Sequence, residues 1–339
     1  MLVAAACSAC SQAGAARARV SLVPLVAAKG KAWDWTSACR FGPQRGSGCE
    51  PSGPRFGDAQ LAGNVWNLGA ARGATGSVRM SVDPAGGLQL AGDLSDAPPC
   101  TDATCITTQA NTWVRGYPSV LYGIDQCNAK TSPVPSPALQ LPAKVRSIPA
   151  GLVGTTTYDA QTAQVTHDVA YDLWLNASGT KTPCRTDGTL EVMVWTDYDA
   201  RSLLPDSLKV GTASIPFAVD RAANPGNGAW SVYVSNVQDR GRTVPWGGTV
   251  WLVLDQAHTV RKGTVSVDLG SALAAVGGLL ENNYRWSRFA DTYWLDTIAF
   301  GMEFGPGSGD PYGAGPAQFS FGLPSYCVEV RTTVAAAAC

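Results

Sequence analysis

Apolar residues in this chain recur mostly at every second position, in short runs closed by Gly, Pro, Asn or Asp. That period predicts β-strands with one buried face, because successive side chains of a strand point to opposite sides. The clearest run is 190–198, LEVMVWTDY. Leu190, Val192 and Val194 form an aliphatic face, while Glu191, Met193 and Trp195 share the other. Similar patterning predicts strands at 61–68, 77–82, 88–90, 114–125, 165–176, 214–219, 230–237, 249–255, 264–269 and 294–304. Residues 83–87, DPAGG, read as a hairpin turn. Residues 271–283 carry the one helical pattern, with Leu273, Val276 and Leu280 at helical spacing and Ser271 as N-cap.

Many short strands with frequent turn signals predict an all-β antiparallel sandwich. The proline-bearing stretch 131–149 reads as an extended crossing segment, because strand patterning continues on both sides. We therefore expect a single domain over 31–332, preceded by a leader or disordered segment at 1–30 and followed by a tail at 333–339.

Composition narrows the function. Basic and acidic residues number 25 and 26, so no cationic excess is offered to nucleic acid or to an anionic membrane surface. No apolar run is long enough for a membrane-spanning helix. Ten cysteines are many for a reduced cytosolic enzyme and point to disulfides and export. With His167 and His258 as the only histidines, a Cys/His zinc site is disfavoured. His167, beside Asp168 near a strand start, reads as a surface residue, and Asp197 and Asp199 read as turn acids with solvated side chains. Asn176-Ala-Ser178 forms a glycosylation sequon. Eleven Trp and ten Tyr supply aromatic platforms suited to sugars.

The chemistry concentrates in three strands. On 165–176, Ala170, Asp172 and Trp174 share a face opposite Tyr171, Leu173 and Leu175. On 294–304, Ile298, Phe300, Met302 and Phe304 read as core, while Thr297, Ala299, Gly301 and Glu303 form a small-residue face ending in a carboxylate. Such a face leaves open space of the kind a groove floor needs. Two inward carboxylic acids amid aromatics meet the needs of glycoside hydrolysis, in which one acid attacks the anomeric carbon and another protonates the leaving oxygen. Trp66, Tyr117, Trp174 and Trp195 suit stacking on sugar rings, or else fill a sandwich core.

In order, Asn64-x-Trp66, GYPSVLYG (116–123), YDLWL (171–175), EVMVW (191–195) and GMEFG (301–305) resemble glycoside hydrolase family 12. The resemblance implies a concanavalin-like β-jelly roll of two antiparallel sheets, a concave substrate groove and one short helix. It also implies a cofactor-free endo-hydrolase of β-1,4-glucans acting with retention of configuration. Carried over, Glu191 is the nucleophile, Glu303 the general acid/base and Asp172 the residue tuning the nucleophile. Asn64 and Trp66 then line a glycone-side subsite and Met193 sits beneath the reacting sugar, while Tyr117, Trp174 and Trp195 join them as substrate-binding residues on the stacking argument above. The family usually has Thr before the second Glu and Pro-Phe after it, where this chain has Met302 and Phe304-Gly305. Gly63 stands where an Asn usually leads the first motif. The expectation is a secreted, monomeric cellulase with no metal and a β-glucan as its partner. Xyloglucan or mixed-linkage glucan hydrolysis on the same scaffold, a non-catalytic lectin-like sandwich and a structural surface protein are the alternatives.

Overall fold

The computed structural model describes residues 33–40, 52–56, 59–62, 75–82, 87–93, 114, 116–124, 139–149, 151–161, 165–179, 188–202, 204–237, 248–286, 288–305, 318–331 and 334. Their strands are β1 (Trp33–Arg40), β2 (Ser52–Phe56), β3 (Ala59–Ala62), β4 (Thr75–Val82), β5 (Leu88–Asp93), β6 (Ser119–Gly123), β7 (Ala143–Lys144), β8 (Leu152–Asp159) and β9 (His167–Asn176). The series continues with β10 (Thr189–Tyr198), β11 (Lys209–Ala213), β12 (Phe217–Val219), β13 (Ala222–Asn224), β14 (Trp230–Ser235), β15 (Thr249–Leu254) and β16 (Lys262–Asp268). Helices α1 (Leu269–Tyr284) and α2 (Phe289–Thr292) precede β17 (Trp294–Phe304) and β18 (Gln318–Val330).

The strands form two sheets. One runs β1-β4-β5-β18-β8-β16-β12-β13, and the other runs β11-β14-β15-β10-β9-β17-β6-β3-β2 with β7 also on β17. Pairing among the described strands is antiparallel except at β10–β15, which runs parallel from Glu191/Thr249 to Trp195/Val253. That pair departs from the all-antiparallel expectation. It arises because β15 reaches β10 after the intervening β14 hairpin, and not through a direct turn.

The core lies between the sheets and is built by strand parity. Leu190, Val192 and Val194 of β10, Leu173 and Leu175 of β9, and Ile298, Phe300, Met302 and Phe304 of β17 all belong to it. At its centre Tyr171 packs on Phe300 with ring centroids 4.7 Å apart. Tyr158 of β8 and Tyr326 of β18 approach the same rings from the facing sheet. A Cβ on Gly154 would stand 2.6 Å from the Tyr171 ring, so glycine there lets the two sheets close over it.

Helix α1 begins one turn earlier than the pattern suggested. Its N-cap is Asp268, which accepts from the Ser271 amide at 2.9 Å and from the Ser271 hydroxyl at 2.9 Å. Ser271 is thus a first-turn partner of the cap and not the cap itself. The helix ends at Arg285 in the left-handed region, φ 56°. A second, single-turn helix, α2, was not expected from the pattern. It approaches at Gly277, where a Cβ would meet Phe289 at 2.9 Å. Strands β8 and β18 also went unread in the sequence. Of the ten cysteines, only Cys327 has a described side chain, and it is buried on β18.

Candidate active site

Three adjacent strands, β10, β9 and β17, carry the acids. Register sets their rows: Glu191 opposes Trp174, Met193 opposes Asp172, and Trp195 opposes Ala170 across β10–β9. On the other side of β9, Thr297 opposes Trp174, Ala299 opposes Asp172, Gly301 opposes Ala170, and Glu303 opposes Asp168. Since the neighbours of these residues in sequence enter the core, Glu191, Asp172, Asp168 and Glu303 all emerge on the sheet face turned away from it.

Glu191 and Glu303 meet β9 six residues apart, and on a flat sheet that spacing is about 20 Å along the strand. The strands are not flat. Bulges interrupt β10 between Trp195 and Asp197 and β17 between Leu295 and Thr297, and bulges bend a strand and strengthen its twist. Asp168 is the cross-strand partner of Glu303, and the charges of Glu303, then Asp172, then Glu191 bear on it. The two glutamates therefore flank the strip formed by Asp172 and Ala170 from opposite ends.

All four acids are buried, with side-chain-bearing residues only 8% (Glu191), 6% (Glu303), 5% (Asp172) and 0% (Asp168) exposed. Each has a defined neighbour. Thr249, the first residue of β15, donates its hydroxyl to Glu191 Oε2 at 2.8 Å. The Trp174 indole N–H donates to Asp172 Oδ2 at 2.8 Å. Asp168 and Glu303 are direct cross-strand partners on the same sheet face. Burial, then the charges of Glu303, Asp172 and Glu191, hold the Asp168 carboxyl well above the usual carboxylate range.

The space left by the small residues of β17 is filled from within the chain. Tyr117 is buried with Ala299, Leu121 and Ala62, and donates its hydroxyl to the Ala170 carbonyl at 3.0 Å. Burial and the charges of Asp172, Asp168 and Glu303 push that phenol well above its ordinary range. Tyr117 is therefore a strut between β17 and β9, with its hydroxyl committed to backbone, and the floor is not open at that point. Trp195 likewise departs from a stacking role, since its indole is fully buried in a cluster with Met193, Tyr198, Leu204 and Trp251. Its ring packs 6.0 Å from that of Tyr198. Trp174 faces the acids through its bond to Asp172. Asn64 and Trp66 lie outside the described residues.

Two surface assignments are overturned. His167 and Asp197 are buried, with His167 Nε2 and Arg261 Nε at 3.7 and 3.6 Å from Asp197 Oδ2. The β10 bulge causes this: it shifts Asp197 into register with core-facing Val169. Asn176 of the sequon is buried as well. Its amide donates to Asp296, and its carbonyl oxygen accepts from Ser178 and Gly179, so the folded chain presents no acceptor for a glycan.

Two site residues escaped the sequence reading. Asp168 sits on the period-two face of Ala170, Asp172 and Trp174, and that parity was a usable signal. Thr249 reaches Glu191 through a parallel pairing across 58 residues, which no local pattern announces.

The fold and the motifs have counterparts among known proteins. A family 12 xyloglucanase from Bacillus licheniformis superposes with a TM-score of 0.55 at 15% identity, covering 88% of this chain and 100% of that one. The endoglucanase Cel12A from Rhodothermus marinus gives 0.51 at 16% identity, with coverage of 88% and 99%. A metagenome-derived family 12 endoglucanase gives 0.52 at 16% identity, covering 88% and 99%. At such identities the likeness establishes the jelly-roll fold. Comparison with curated protein sequences found no match. The sequence profile described as glycosyl hydrolase family 12 matches residues 97–313, most of the chain and all three acid-bearing strands. The chain belongs to glycosyl hydrolase family 12 and is a glycosidase.

Proposed function

We propose that the protein is a retaining endo-hydrolase of β-1,4-glucans. Glu191 attacks the anomeric carbon, and Glu303 protonates the leaving glucosyl oxygen. Glu303 then takes a proton from the water that releases the glycosyl-enzyme. The observation that carries this reading is the shared sheet face: Glu191 and Glu303 flank Asp172 on three adjacent strands, all three buried. Burial away from water strengthens the charge–charge and charge–dipole effects on which the chemistry depends. The Thr249 hydroxyl fixes the Glu191 carboxylate, and the Trp174 indole fixes Asp172 between the two glutamates. Ten cysteines favour an exported enzyme.

Product analysis on defined cello-, mixed-linkage and xyloglucan oligosaccharides tests the substrate. The reading expects internal cleavage of the cello-oligosaccharides, and turnover confined to xyloglucan would replace cellulose-type glucans as the substrate. Proton NMR of the first products tests the stereochemistry: fresh β-anomer supports retention, and fresh α-anomer ends it. Glu191→Gln is expected to lose nearly all turnover while still binding oligosaccharide. Wild-type binding without turnover on every β-glucan would favour a lectin.

A further inference from the structure

Asp168 has no part in the scheme above, yet it is the most enclosed acid of the site. It is fully buried on β9 and is the direct cross-strand partner of Glu303 on β17. Neither of its carboxyl oxygens accepts from an N–H or O–H donor among the described residues. What faces it across the β9–β17 ladder is Glu303, whose carboxyl charge bears on it more than that of any other acid. Acids and phenols bear on the pair: Asp172 lies on the same strand, Glu191 and Tyr198 on β10, and Tyr117 before β6. The Tyr117 hydroxyl is already directed at the Ala170 carbonyl.

Two neighbouring carboxyl groups, shielded from water, cannot both be ionised without strong repulsion, and neither can donate to the other unless one holds a proton. We propose that Asp168 is the positioning residue of Glu303, the two carboxyls sharing one proton that Glu303 delivers. The proposal rests on the acid/base role given to Glu303 above. In the first step the shared proton passes from Glu303 to the leaving oxygen as the glycosidic bond breaks and Glu191 forms its ester. Both members of the pair are then anions, and the Asp168 charge makes Glu303 a stronger base. In the second step Glu303 takes a proton from the attacking water, the ester breaks and the single shared proton is restored. Proton count closes over the cycle.

The test is a carboxyl ¹³C NMR titration of the labelled full-length protein alongside the pH dependence of kcat/KM, in wild type and Asp168→Asn. The amide has nearly the shape of the acid and cannot ionise. The expected result is a fall of at least one pH unit in the apparent pKa of Glu303, with a displaced pH–rate profile. A Glu303 titration unchanged by Asp168→Asn overturns the proposal. The wild type alone also decides it if the variant does not fold, because a shared proton gives two well-separated macroscopic steps with one above the usual carboxylate range. Two steps at ordinary carboxylate values overturn it. Glu303→Gln separates this from the parent reading: full turnover in that variant removes Glu303 from catalysis, whatever Asp168 does.

Discussion

Thr249 opens β15 opposite Glu191 of β10, and its hydroxyl donates to Glu191 Oε2 at 2.8 Å across the one parallel ladder among the described strands. The bond ties the orientation of the proposed nucleophile to a segment far away in sequence. A hydrogen bond to a charged group contributes about 1.5–3 kcal/mol. Thr249→Val keeps the β-branched shape and removes the donor. Steady-state kinetics are expected to show kcat/KM lowered about 10- to 100-fold, with the thermal midpoint little changed.

Trp174 and Asp172 form the second such pair, joined at 2.8 Å within one strand face. Trp174→Phe preserves an aromatic ring and deletes the indole donor. If Asp172 acts by orienting the nucleophile, kcat falls about tenfold and KM moves little. A change confined to KM would instead assign Trp174 to sugar binding.

Gly301 stands between Ala299 and Glu303 on the groove side of β17. A Cβ there would lie 2.3 Å from the Pro118 carbonyl oxygen and 2.8 Å from the Ser119 Cβ. The obstacle is backbone of the neighbouring segment, which cannot swing aside as a side chain would. Gly301→Ala is expected to cost about 1–3 kcal/mol in denaturant unfolding. It should also depress activity by moving Glu303.

Asp296 makes stability depend on pH. It is buried at the β17 bulge and accepts from the Asn176 amide. Burial, only partly countered by that bond, raises its carboxyl to about 7. Between the ordinary carboxylate value and about 7, the folded chain keeps a proton that the unfolded chain has lost. Unfolding free energy therefore falls as pH rises through that window, by up to about 4 kcal/mol. Asp168, also raised, adds a slope of the same sign. Denaturant midpoints measured from pH 4 to pH 8 should decline in the wild type and flatten in Asp296→Asn, with the Asp168 contribution remaining.

Strand parity was legible because it is local. The alternations of 190–198 and 294–304 are carried by residues two apart, and the side chains they assign to the core are the ones found there. The motif order around Glu191, Asp172 and Glu303 led to the family, which the profile match over 97–313 shows. Strand β8 was missed because its interior is polar: Thr155 pairs with Ser266 at 3.0 Å and Thr157 with Thr264 at 2.9 Å, hydroxyl to hydroxyl across strands. Strand β18 was missed because Gly322 and Pro324 interrupt it, and the register shift between Gly322 and Ser325 accommodates them.

By itself, then, the sequence determined which faces are apolar, which strands carry acids and to which family their order belongs. Tertiary structure decided what each acid meets. The Glu303–Asp168 pairing, the Thr249–Glu191 bond, the burial of Asp197 and the filling of the small-residue face by Tyr117 all depend on register and bulges. Register joins residues distant in the chain, and a one-residue shift reverses which face a side chain occupies. Local periodicity holds no record of either.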